Sequence, residues 1–141
     1  MSTQNVESCV INAPVDKVWD ALRKQDFEFW SLVKSVELPS STSEVGGVRT
    51  TTFTDGTVQK HRLTEYSELK RAFTYELIES DPSVTTLSAQ HSIRVYPVTA
   101  NNTTFVQWRS TFSATDSLAS VSDSKYKKLD ALGELVKTLT H

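Results

Sequence analysis

The chain has 141 residues, enough for one domain with its own core. Its 38% hydrophobic and 23% charged content describes a folded globule rather than a disordered chain, and a net charge of −2 gives no pull toward nucleic acid or an anionic membrane. A single cysteine, Cys9, excludes an internal disulfide and a Cys-based zinc site.

No apolar run approaches the ~18 residues of a membrane helix. MSTQNVES, at the N-terminus, lacks the charged and apolar regions of a secretory signal, so a cytoplasmic protein is expected. VESCVIN reads as a first strand, with Cys9 a small buried hydrophobe rather than a reactive thiol. Pro14 suits the first turn of a helix, where Asp16 faces the positive end of the dipole. Val15, Val18, Trp19 and Leu22 then share one helical face. Phe27, Phe29, Trp30 and Val33 suggest a second short helix, and PSSTSEVGG reads as a loop.

From Val36 to Phe112 the chain turns to Val, Thr, Phe and Tyr, punctuated at Asp55-Gly56, Asp81-Pro82 and Asn101-Asn102. Strands are expected near 34–38, 47–53, 58–67, 72–78, 88–96 and 104–113. A long helix closes the chain over SDSKYKKLDALGELVKTLTH, capped by Ser122 or Asp123. Its stripe is Leu129, Leu132, Val136 and Leu139, with Tyr126 and Leu135 beside it. Gly133, inside that helix, suggests close packing on the sheet, room for a ligand, or plain tolerance. The order predicts an α+β fold in which one long helix covers an antiparallel sheet.

Alternation assigns the faces. Lys60 and Arg62 share one side of their strand, so His61 and Leu63 turn inward, because burying two cations costs far more than burying an imidazole and a leucine. Phe53 draws Thr51 and Arg49 inward with it. Phe73 and Tyr75, then His91 and Ile93, then Trp108 follow on the next strands. A two-residue turn at Asp55-Gly56 would set Arg49 against Arg62. A three-residue loop, Thr54-Asp55-Gly56, with a left-handed glycine, sets it against His61. The facing argument requires the second.

The inward set is apolar and aromatic with a few polar points, the usual constitution of a small-molecule site. Duller readings stand beside this one: Arg49 as an exposed or ion-paired residue, His61 and His91 as structural histidines, Tyr75 and Trp108 as core. The three histidines show no metal-ligand spacing, and neither a G-x-S-x-G nucleophile motif nor a phosphate-binding glycine loop is present. No cofactor or metal is expected.

The segments INAPVDKVWDAL, the WSLVKSVEL run from Trp30, GVRTTTFTDGTV, RLTEY, FTYEL, IRVYP, VQWRSTF and YKKLDALGELVK together resemble the polyketide cyclase/dehydrase group of the START/Bet v 1-like (SRPBCC) superfamily, over roughly residues 5–140. The resemblance implies a helix-grip fold: a curved seven-stranded antiparallel sheet around the long C-terminal helix, with two short helices after the first strand. It implies a cavity for a small hydrophobic or amphipathic molecule, lipids among them. Arg49 falls on the family's strand arginine. His61 stands where many members carry a carboxylate, and Ala89 where many carry an aromatic ring.

The expected function is ligand binding in that cavity by Arg49, His61, Leu63, Phe73, Tyr75, His91, Ile93, Trp108 and Trp30. Alternatively, the chain is a cyclase, dehydratase or isomerase using Arg49 with His61 or His91 as base. A third reading is a domain with a filled cavity that works through protein contacts. The oligomeric state is left open.

Overall fold

A computed structural model describes residues 3–83, 89–112 and 118–140. Chain order is β1 (Thr3–Ile11), α1 (Val15–Leu22), β2 (Val33–Glu37), β3 (Val48–Phe53), β4 (Val58–Ser67), β5 (Ala72–Asp81), β6 (Gln90–Val98), β7 (Thr103–Phe112) and α2 (Leu118–Leu139). The strands form one antiparallel seven-stranded sheet in the order β1-β7-β6-β5-β4-β3-β2. It curves around α2, which packs chiefly on β1.

Two register shifts between β4 and β5, at Lys60/His61 and Leu63/Glu65, accompany the curvature, since an extra residue on one strand bends it and increases its twist. The β3–β4 hairpin has the three-residue loop. Phe53 N–H donates to Thr57 O at 2.8 Å, Gly56 takes φ +92°, and Arg49 pairs with His61. Lys60 and Arg62 lie outside, where they pair with Glu79 and Glu76.

Only one short helix follows β1. Pro14 starts α1 with φ −62° and ψ 150°, and Val18, Trp19 and Leu22 bury its inner face. The second helix expected around Phe27–Val33 does not form. Gln25 and Phe27 adopt positive φ, 59° and 48°, and left-handed residues cannot propagate a right-handed helix. The segment instead runs in turns that lay Phe27 and Trp30 over the sheet.

The last helix begins earlier than expected, so Ser122 and Asp123 lie within it rather than capping it. Its inward face is also displaced. Leu132, Leu135 and Leu139 are buried as expected, but their companions are Lys128 and Ala131. Leu129 and Tyr126 are exposed at 41% and 66%. Gly133 is on the solvent side, and a Cβ there would meet nothing within 4 Å, so neither close packing nor ligand room explains it. Cys9 is half-buried and its thiol is pushed up to about 11 by burial, which keeps it in the unreactive form.

Candidate functional site

Between the concave sheet face and α2 lies a cavity of about 290 Å³, close to the ~300 Å³ at which small-molecule sites begin. Aromatic rings wall it. Phe27 stacks on Trp108, with ring centres 5.8 Å apart, because the left-handed turns after α1 fold it back over the sheet. Trp30 meets Trp108 edge-on at 6.3 Å and Phe53 at 6.0 Å, the T-shaped geometry that ring quadrupoles favour. The Trp30 indole N–H donates to Asp130 on α2 at 2.9 Å, tying this wall to the helix. Phe112 stands edge-on to His91.

Polar groups converge from five strands. Register sets Arg49 beside His61, Tyr75 beside His91, and His91 beside Ser110. The His61 and Tyr75 rings are 5.2 Å apart, Tyr75 and His91 5.1 Å, and His61 and His91 5.9 Å. His91 Nδ1 is hydrogen-bonded to the hydroxyl of Ser110, which is fully buried. Among the described residues His61 makes ring contacts but no hydrogen bond from its ring nitrogens, so they are open to an occupant.

Arg49 is only 5% exposed and is held by the protein itself. Its guanidinium donates to Gly47 O at 2.8 Å, to Thr42 O at 3.1 Å and to the side-chain oxygen of Gln25. Gln25 returns a bond from its amide to Thr42 O at 2.8 Å. Nε of Arg49 is buried without a partner. Three neutral oxygens satisfy donors without cancelling charge, and burial lowers the arginine's proton affinity.

The field of this cavity favours neutral imidazoles. Burial, then the Arg49 charge, brings His61 down to about 4. Burial, then His61 and Lys128, brings His91 well below its ordinary value. Burial pushes Tyr75 up, so its phenol stays protonated. The Trp108 indole N–H lies near enough the Tyr75 hydroxyl to favour its ionised form slightly, yet it makes no well-formed hydrogen bond. The combination is one of neutral donors and acceptors beside two buried cations, Arg49 and Lys128.

Seven of the expected residues line this space together: Trp30, Arg49, His61, Phe73, Tyr75, His91 and Trp108. Leu63 and Ile93 do not. They point inward, at 0% and 1% exposure, and are packed into the core without reaching the cavity. Sequence reasoning missed Gln25 and Lys128, which both line the cavity. No periodicity marks a glutamine that buries itself by a left-handed turn. Lys128 does carry a signal, since it falls four residues before Leu132 and seven before Leu135, on the same helical face. Among the described residues no group of three or more His, Cys, Asp or Glu could hold a metal ion. No described helix is long and apolar enough to cross a membrane.

Residues 3–137 match the family model described as "Polyketide cyclase / dehydrase and lipid transport". The chain belongs to this family. No curated protein matches it in sequence. Among solved structures, it is similar to a protein from Nitrosospira multiformis, at 27% identity and TM-score 0.85, covering 98% of this chain and 97% of that one. Two further structures share the fold at 20% identity and TM-score 0.84. An uncharacterised protein from Bacillus thuringiensis is matched over 97% of this chain and 98% of its own, and the protein XoxI from Bacillus cereus over 97% and 95%. The family's description joins enzymes to carriers, so chemistry has to be argued from the site.

Proposed function

We propose that the protein binds a small hydrophobic or amphipathic molecule in the cavity between the sheet and α2. The observation that carries this reading is the unfilled space of about 290 Å³ behind Phe27, Trp30 and Trp108, into which neutral polar groups point. Aromatic walls supply apolar contact, and His61 and Tyr75 supply hydrogen bonds that orient the occupant. Arg49 shapes this wall more than it grips a ligand, because protein oxygens already take most of its donors.

Native mass spectrometry of protein purified from its source tests the reading. A retained small molecule, released on denaturation, is the expected result. A bare chain that also takes up no apolar compound on incubation overturns it.

One observation favours a second reading, an enzyme of the cyclase, dehydratase or isomerase kind. His61 is neutral, its ring nitrogens have no described protein partner, and Arg49 sits across from it. An imidazole so placed can take a proton from a bound carbonyl compound. His61→Gln tests this: in a carrier it leaves ligand binding largely intact, because the amide still offers a hydrogen bond, whereas in an enzyme it abolishes turnover.

A further inference from the structure

α2 brings an amine to the cavity wall. Lys128 is 3% exposed, donates from Nζ to Ser124 Oγ at 2.5 Å, and lies with that nitrogen 5.9 Å from the centre of the Trp108 ring. Among the described residues no carboxylate lies in ion-pair contact with it. Glu7 on β1 reaches it only through its field, and His91 on β6 faces it as a neutral ring. A buried ammonium is costly unless paired, and one hydroxyl leaves two of its three N–H groups unused.

The cavity's other buried cation differs. Gly47, Thr42 and Gln25 take three of the five N–H groups of Arg49, and of its nitrogens only Nε is buried without a partner. The Trp108 indole N–H is a second donor without a well-formed bond. The carboxylates at the cavity, Asp55 and Asp123, are exposed at its mouth, where Asp123 pairs with the exposed Lys127. Buried donors are thus in surplus over buried counter-charge, and the larger unused share is on Lys128, two of three N–H groups against two of five on Arg49.

We propose that Lys128 anchors the acid group of the cavity's ligand, an organic carboxylate or phenolate whose aromatic or other apolar body lies against Phe27 and Trp108. This rests on the reading of the cavity as a ligand site and names its ligand class. The anion supplies the counter-charge that the described residues withhold, and it accepts from Nζ in a dry site, where such a bond is strong. Burial brings the free amine down to about 8, so it is mostly charged at neutral pH and an anion restores its proton affinity.

The test uses three probes of one shape at pH 7, followed by calorimetry: 2-naphthylacetate, 2-(2-naphthyl)ethanol and 2-(2-naphthyl)ethylamine. The acid is expected to bind at least about tenfold more tightly than the alcohol or the amine. Lys128→Met should remove that advantage and change the alcohol's affinity less than about twofold, which also shows that the variant's cavity has folded. Should the variant fail to fold, the native protein at rising pH gives the same answer. Affinity for the acid falls above about 8 while that for the alcohol holds, because Lys128 loses its charge and His91 is neutral throughout. Equal binding of acid and alcohol, or an acid affinity indifferent to Lys128→Met or to pH, overturns the anchor and leaves the cavity reading standing. If none of the probes binds, the cavity reading falls and the anchor with it.

Discussion

The same strands behave differently at their two ends. Toward α1, the inward side chains are Val95 and Ile93 on β6 and Thr104 and Val106 on β7, none more than 1% exposed, with Phe73 on β5 at the boundary, where it also lines the cavity. Trp19 of α1 presses on Phe73 with ring centres 6.3 Å apart, and Thr104 donates to Ala13 O at 2.7 Å. Toward the other end the same alternation delivers Tyr75, His91, Trp108 and Ser110, and α2 passes over them without filling the space. Alternation decides which side chains face in. What packs against them decides whether they become core or binding surface.

The widest gap between the ends should be in stability. Ile93→Ala removes buried methylenes from the filled end and should cost about 2–5 kcal/mol in urea unfolding. Tyr75→Phe removes a hydroxyl that faces the cavity, and should cost below about 1 kcal/mol. Equal losses would mean that the second end is packed as tightly as the first.

A smaller difference should show in acid. His61 takes up a proton near 4 in the fold and near 6.5 in the ordinary state, so the unfolded chain binds the proton more readily. Stability is therefore full above pH 6.5 and falls as pH drops toward 4, by roughly 3 kcal/mol from this residue, with His91 adding in the same direction. Among the described residues no buried histidine lies at the filled end. In His61→Gln the decline between pH 6.5 and 4 should shrink by about that amount. An unchanged acid profile would show that His61 is wetter than its surroundings imply.

Next comes the bracket around Arg49. Gln25→Ala leaves the guanidinium with the two carbonyl oxygens and should cost about 1–3 kcal/mol, the usual penalty for stranding a buried donor. A smaller cost would place a further acceptor, such as an ordered water, beside Arg49.

These residues also show how far the sequence could be read. Two flanking cations and one glycine settled the Arg49–His61 register, because charge on one face and a left-handed turn leave a single consistent pairing. Seven strands and the closing helix followed from alternation and turn residues in the same way. Gln25 and Phe27 could not be read, since positive φ at non-glycine residues is imposed by tertiary contacts and not by local preference. Lys128 was passed over for a related reason. Leu129 looks like the better core residue by hydropathy, and only an unfilled cavity lets the lysine take the inward position. Leu63 and Ile93 face inward beside Tyr75 and Trp108 but are covered by core neighbours instead of lining the cavity.

The smallest effect concerns the outer side of α2. Gly133 is exposed, and a Cβ there meets nothing within 4 Å, so Gly133→Ala should stabilise the protein by up to about 1 kcal/mol through helix propensity. Around it, Asp130 holds the Trp30 indole and Glu134 accepts from the Ser31 N–H at 3.2 Å, so this stretch of helix fastens the aromatic wall of the cavity. If the glycine is merely tolerated, the gain in melting temperature comes with unchanged affinity for 2-naphthylacetate. If affinity or its on-rate drops while stability rises, α2 must yield at Gly133 for a ligand to enter. The difference between the two ends of the sheet would then be one of motion as well as of packing.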